Sequence, residues 1–406
     1  MPFLLLPILT RALNPVEYGN VVSFYILVAV CASLAGLGLH TAVGVRWLDP
    51  AKGDAARYTA SAIVLVFASS AVAALVTAAV APAVGIKLAP EVSALAAVVA
   101  GANVMQGMRF VVWQNRERPL PAAALQVISA TVNIVLSLLA VFVLRLGGLG
   151  RILGATSAGV LTAVFCVISL SREQAATRPT ATDIRALLRF GLPLMPHTLA
   201  AALLTSADRF AVSAQLGSGA LGIYGAASQL GMIIPVLADA ATKAYVPTMY
   251  RLLSRRSIWS RLRVVAITYL SVPGWILVAL VLWGVLLLAG PLLLGAQYLD
   301  AIGLAIWFLL GGAVGGIYMN IAGLFFFTGN TEWISVASVA SSLLALLIAT
   351  RAVSAFGLAG GGATYLAAQI ALLAAAWALS RRVSPMPWHR PALALALLFR
   401  EFPKRR

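Results

Sequence analysis

Residues 191 to 215 decide the fold: Gly191-Leu-Pro-Leu-Met-Pro-His197 opens the stretch, Ser206-Ala-Asp-Arg-Phe210 follows, and nearly everything between is apolar. The segment is long enough to cross a bilayer, yet it holds two prolines, a histidine and an adjacent acid and base. Charged side chains deep in hydrocarbon cost roughly 2.5 to 3.5 kcal/mol even on insertion scales, so they face a bundle interior or a watery cavity. The prolines free backbone carbonyls that a lone lipid-exposed helix could not satisfy. The segment therefore reads as the wall of a polar cavity inside a membrane protein, with other helices supplying the remaining walls.

Composition supplies those helices. The 406 residues are 61% hydrophobic and only 10% charged, against roughly 25% charged in soluble domains. Windows of about 20 apolar residues place helices near 2-13, 21-45, 59-85, 92-112, 121-144, 147-171, 191-215, 220-248, 264-290, 300-327, 333-351 and 358-380. These twelve make an all-α polytopic membrane protein. The loops between them leave no room for an ATPase, a soluble nucleotide fold or a periplasmic catalytic domain.

The net charge of +17 follows membrane sidedness, not a nucleic-acid surface. Twenty-two Lys and Arg lie on the side of loops 46-58, 109-118, 172-189, 250-263 and the tail after Ser380, against five on the other side (Arg11, Lys87, Arg145, Arg151 and Arg351). The positive-inside rule then places both termini in the cytoplasm. Cys31 and Cys166 sit singly in apolar helices and read as packing residues. With three histidines on separate segments, the chain offers no material for a metal site or a catalytic triad, and the expectation is a non-enzyme without cofactor or metal. Residues 2 to 13 give a helix of only about 20 Å, short of a core of roughly 30 Å, so helix 1 is half-length or the true start lies upstream. Trp388 to Arg406, ending Lys404-Arg-Arg406, suggests a basic interfacial helix.

Weak repetition runs through the chain. Arg11-Ala-Leu-Asn-Pro-Val-Glu-Tyr-Gly19 before helix 2 is echoed by Gln215-Leu-Gly-Ser-Gly-Ala-Leu-Gly222 before helix 8. Asn115-Arg-Glu is echoed by Asn330-Thr-Glu, and Gly148-Leu-Gly150 by Gly357-Leu-Ala-Gly360, at offsets of 203, 215 and 209. Two six-helix lobes are expected, 1-171 and 191-380, joined by a polar linker 172-190 and followed by a basic tail 381-406. An even helix number per copy gives both the same orientation, related by a pseudo-two-fold along the membrane normal, and such transporters bind substrate between repeats.

Asp208 and Arg209 are the first candidates for chemistry. As neighbours they point about 100° apart on a helix. They face the cavity or snorkel to the outer interface. His197 lies eleven positions earlier, on nearly the same face and about 16 Å away; it serves substrate or proton, or makes a local hydrogen bond. Asp239 and Lys243 stand at i, i+4 and form either an ion pair of structural use or part of the site. Helix 5 presents Gln126, Ser129, Asn133 and Ser137 in one stripe, and helix 4 presents Asn103 and Gln106. Such stripes line a hydrated cavity or glue helices together. Arg11 marks the outer end of helix 1.

Pro7-Ile-Leu-Thr-Arg11, Asn14-Pro-Val-Glu-Tyr-Gly19, Phe190-Gly-Leu-Pro-Leu-Met-Pro-His197, Ala207-Asp-Arg-Phe210 and Leu221-Gly-Ile-Tyr224 together resemble the Wzx-type polysaccharide transporters of the multidrug and oligosaccharidyl-lipid exporter superfamily. The resemblance spans nearly the whole chain, and the block 190 to 224 is its most specific part. It implies a two-lobed exporter fold with a cationic lumen, and the flipping of undecaprenyl-diphosphate-linked oligosaccharide across the bacterial inner membrane. Arg11, Asp208 and Arg209 match positions of the family motifs, whereas Lys243, Asp239 and His197 come from the residues themselves. The partners implied are the lipid-linked oligosaccharide, membrane lipids, and a polysaccharide polymerase or chain-length regulator, with no nucleic acid. Basic side chains would balance the diphosphate, and Gln126 to Asn133 would offer amides to neutral sugars. The alternatives are an H+- or Na+-coupled multidrug exporter, with Asp208 or Asp239 as ion site, and a membrane glycosyltransferase or polysaccharide polymerase.

Overall fold

The structure, a computed structural model, describes residues 2 to 48, 54 to 82, 86, 88 to 173, 178 to 204, 206 to 255, 257 to 330 and 332 to 396. Residues 397 to 406, and with them the basic end of the expected tail helix, lie outside the described residues. Those described form helices α1 (Pro2–Ala12), α2 (Pro15–Gly36), α3 (Leu39–Leu48), α4 (Ala55–Val80), α5 (Pro90–Asn115), α6 (Pro119–Leu138), α7 (Gly147–Glu173), α8 (Ala181–Leu204), α9 (Ala207–Gly231), α10 (Ile233–Ser254), α11 (Ile258–Leu293), α12 (Asp300–Thr328), α13 (Glu332–Val383) and α14 (Pro391–Ala396). Among the described residues, ten helical stretches are long and apolar enough to cross a membrane.

One glycine break and the short α1 bring those ten to the twelve helices read from sequence. At 1.5 Å per residue, the 52 residues of α13 would run about 78 Å, more than twice a hydrocarbon core of about 30 Å. Gly357 breaks it (φ 58°, ψ −137°) into two antiparallel crossings. Gly217 (φ 81°, ψ 179°) breaks α9 in the same way. The residues from Ala207 to Leu216 continue the crossing begun by α8, and those after Gly217 run on into α10. The short α1 completes the set. Helix 7, expected over 191 to 215, corresponds to α8 and the start of α9. Described helix begins earlier, at Ala181, and runs to Leu204, and Ala207 opens the next described helix. The face expected to carry both His197 and Asp208 passes through Thr205, which lies outside the described residues.

By its contacts the chain divides into two compact units, Met1–Gly225 and Ala226–Arg406. In the first, α2 starts where its sequence dictates. Pro15 occupies N1, the Asn14 side chain accepts from the Glu17 amide and Glu17 accepts from the Asn14 amide, a complete capping box. α2, α4 and α7 pack around α5. The start of α8 is fastened to α4: Arg57 Nε donates to Asp183 Oδ2 at 2.9 Å, and the Thr180 amide donates to Ser61 Oγ at 3.1 Å.

The repeat seen in the sequence has a physical counterpart within this unit. A Cβ on Gly19 would overlap the Ser218 carbonyl, and one on Gly222 would overlap the Pro15 carbonyl. Pro15 with Ser218, and Gly19 with Gly222, are the repeat-equivalent pairs at the offset of 203. Each copy therefore presents to the other the same carbonyl and the same glycine, the reciprocal contact that a two-fold axis imposes. The hairpin glycines repeat as well. Gly150 sits against the Ala140 carbonyl and Gly360 against that of Ala352.

In the second unit α12 is central, flanked by α10, α11 and α13. Gly312, Gly316 and Gly323 of α12 meet Pro235, Trp275 with Ala238, and Met249, a small-residue stripe that lets membrane helices approach closely. The segment after α13 folds back on α11. Trp388 is buried, its carbonyl accepting from Tyr269 Oη at 2.7 Å. Its ring is packed inside the protein, not laid in the interface as a tail anchor.

Candidate functional site

A cavity of about 690 Å³ opens inside the first unit between α2, α5, α6 and α7. Both polar stripes read from the sequence face it. Asn103 and Gln106 come from α5, and Gln126, Ser129 and Asn133 from α6, joined by Thr162 of α7 and Tyr25 of α2. Gln106 Nε2 donates to Ser129 Oγ at 3.0 Å, which ties the two stripes into one wall.

One cation stands at the end of that wall. Arg151, in the first turns of α7, is only 3% exposed. Its Nη1 donates to Asn133 Oδ1 at 2.9 Å and to Ser137 Oγ at 2.6 Å, and its guanidinium lies 5.5 Å from the Tyr25 ring centroid. Every one of those partners is neutral. No Asp or Glu lines the cavity among the described residues. From sequence alone Arg151 counts among the basic residues of the outer side, because it stands near a helix start. Its register held the signal: Ala155, Ala158, Gly159 and Thr162 follow at i+4, i+7, i+8 and i+11, a small and polar face into which a long side chain can fold.

Asp208 and Arg209 form a second group. Asp208 does not snorkel; it is 2% exposed and accepts a short hydrogen bond from Tyr224 Oη. Arg209 is half-buried, and its Nε makes no hydrogen bond among the described residues. Tyr18 of α2 lies within electrostatic reach of both Arg209 and Arg151, and Tyr25 follows one heptad later on the same helix.

The other expected site residues lie elsewhere. Arg11 is exposed at the end of α1. Lys243 and Asp239 bond one another at 2.6 Å on α10, with side chains 76% and 54% exposed. Neither they nor Arg11, Asp208 and Arg209 are among the residues lining the cavity. His197 falls within α8, and its side chain lies outside the described residues. Among those described, no group of three or more His, Cys, Asp and Glu is placed to hold a metal.

An all-helical bundle of membrane-length crossings, with an open polar cavity walled by its helices, is the architecture of a membrane transport protein. The fold is that of the MATE transporters. An inward-facing multidrug resistance MATE family transporter of the MOP superfamily superposes with a TM-score of 0.71 at 15% identity, covering 93% of each chain. An outward-facing one gives 0.58 at 16% identity over 93% of this chain and 90% of that one. Residues 1–253 match the polysaccharide biosynthesis protein family, and the chain belongs to it. A protein of the Lsg locus of Haemophilus influenzae is 26% identical over 160 residues, an alignment that spans 39% of this chain and 39% of that relative.

Proposed function

We propose that the protein flips undecaprenyl-diphosphate-linked oligosaccharide units across the bacterial inner membrane by alternating access, with both termini in the cytoplasm. The observation that carries this reading is the chemistry of the cavity: a wall of amides and hydroxyls ending in a buried arginine whose partners are all neutral among the described residues. A buried cation is costly unless an opposite charge joins it. An incoming diphosphate supplies that charge and accepts from the guanidinium in a bidentate geometry. The amides then satisfy sugar hydroxyls, and discrimination follows from the cost of leaving buried polar groups unpaired.

Arg151 takes the diphosphate in this reading, Gln126 and Asn133 meet the glycan, and Arg209 extends the cationic path beyond Tyr18. Arg11 and Lys243 serve as outlying basic groups, and Asp208, Asp239 and His197 remain the candidates for coupling. A polysaccharide polymerase or chain-length regulator would be the downstream protein partner. A multidrug exporter for cations fits the cavity less well, because such a cargo calls for a carboxylate where this wall presents a guanidinium. A glycosyltransferase would need an acid or base at the reacting atoms, which the described cavity wall does not present.

The test is to delete the gene, complement it with wild type or Arg151→Gln, and locate lipid-linked units by membrane leaflet. Accumulation in the cytoplasmic leaflet, relieved by wild type and not by Arg151→Gln, supports the reading. Unchanged surface glycan with raised drug sensitivity in the deletion favours the multidrug exporter.

A further inference from the structure

Four crossings of the second unit end together around a pocket of about 520 Å³. Leu253 and Ser254 close α10, Phe327 and Thr328 close α12, and Val383 closes α13. Arg261 stands in the first turn of α11, and Ser384 with Pro385 begin the segment that folds back on that helix. Arg261 is the one charged residue among the described lining. Glu332, the acid nearest to Thr328 along the chain, opens α13 and does not line the pocket.

The donors left over in this pocket suit an anion. Ser254 Oγ and Thr328 Oγ1 are spent on their own helices, donating to the carbonyls of Tyr250 at 2.8 Å and Leu324 at 3.0 Å. Arg261 spends only Nη1, on the Pro385 carbonyl at a long 3.3 Å. The rest of its five N–H groups, and Ser384 Oγ, have no hydrogen-bond partner among the described residues. Arg255 and Arg382, exposed next to Ser254 and Val383, add positive potential. Apolar side chains mark the depth. Ile258, one turn nearer the helix end than Arg261, is 48% exposed, and Trp259 is 47% exposed. Exposed apolar and aromatic residues at the end of a membrane-length helix belong at the membrane–water interface, so the guanidinium lies at headgroup level, not in bulk water.

We propose that this pocket binds the phosphate of an anionic phospholipid from the leaflet at this end of the crossings. Basic pockets between membrane helices are suited to lipid head groups. A phosphodiester offers two oxygens to the fork of Arg261, while Leu253, Phe327 and Val383 meet the glycerol and the first methylenes. A free phosphate uses the fork but gains nothing from those apolar walls. A zwitterionic headgroup brings its own cation toward Arg255 and Arg382, which repel it. The site lies within the second unit and does not depend on the cargo read from the polar cavity of the first. Its occupant would tie the start of α11 to the segment that leaves α13.

Native mass spectrometry of the full-length protein, titrated in detergent with phosphatidylglycerol or phosphatidylcholine, tests this. Wild type is expected to hold one phosphatidylglycerol in preference to phosphatidylcholine. Arg261→Gln, which removes a charge-assisted bidentate contact, should weaken that binding by about tenfold, and Arg261→Lys by less. Ser384→Trp fills the pocket and leaves every arginine in place. It should weaken binding as much as Arg261→Gln does, with a lipid-free melting temperature near wild type. Attraction by a basic surface alone is indifferent to the tryptophan, so full binding by Ser384→Trp overturns the pocket. If that variant melts low, Arg382→Gln decides: it must keep more binding than Arg261→Gln, and equal loss refutes the site. Equal affinity for the two lipids, or displacement of phosphatidylglycerol by millimolar glycerol phosphate, rules out the anionic phospholipid as occupant.

Discussion

Arg151 is held by two neutral oxygens, from Asn133 and Ser137, and by an aromatic face. Hydrogen bonds to charged groups contribute about 1.5 to 3 kcal/mol, so Arg151→Gln should lower glycan export by roughly ten- to a hundredfold at matched protein abundance. Arg151→Lys should fall between, since the charge survives and the fork does not; export by Arg151→Gln at the wild-type rate would take the guanidinium out of the pathway. Tyr224 and Asp208 behave differently, because their bond is internal. Tyr224→Phe leaves a buried carboxylate short of a donor and should cost about 1 to 3 kcal/mol, read as a lower melting temperature in detergent. Asp208→Asn keeps an acceptor for Tyr224, and a melting temperature near wild type combined with lost export would assign Asp208 to transport, not to folding. Arg209→Ala separates the two arginines. If Arg209 extends the anion path, export falls while melting is unchanged.

Among the elements, two kinds of glycine do different work. Gly222 has a backbone neighbour where its side chain would be, the Pro15 carbonyl, so Gly222→Ala must push two backbones apart. Overpacking of this kind costs typically about 1 to 3 kcal/mol, and Gly19→Ala should behave alike because the contact is reciprocal. Gly217 has nothing within 4 Å of the place a methyl would take, but its backbone (φ 81°, ψ 179°) lies in a region held almost only by glycine. Gly217→Ala should therefore cost about 1 to 3 kcal/mol through the backbone alone. Side-chain size tells the two mechanisms apart in thermal melts. Gly222→Leu should melt well below Gly222→Ala, whereas Gly217→Leu and Gly217→Ala should melt alike. Equal melting of the two Gly222 variants would refute the steric account.

At the scale of the whole molecule, sidedness is the property most open to measurement. The excess of basic residues in loops on one side predicts that reporters fused after Arg118 and after Arg382 behave as cytoplasmic, and one after Gly295 as external. The break at Gly357 makes the same demand. If α13 were one continuous crossing, the reporter at Arg382 would appear outside.

The sequence by itself determined the membrane class, the twelve crossings and the twofold repetition, because burial in lipid is a property of composition and window length and needs no partner. It also determined the two polar stripes of α5 and α6, since helical periodicity places Asn103 with Gln106, and Gln126 with Ser129 and Asn133, on common faces. The tertiary structure decided which face met which. It turned those stripes toward each other around Arg151, a residue whose place near a helix start gave it the look of an anchor. It buried Asp208 under Tyr224, sixteen positions away in the chain, and left the Asp239–Lys243 pair exposed. Periodicity fixes the direction a side chain takes from its own helix axis, but what stands opposite is set by the crossing of helices distant in sequence. That crossing depends on contacts such as Gly19 on Ser218, whose two backbones become neighbours only when the chain is folded.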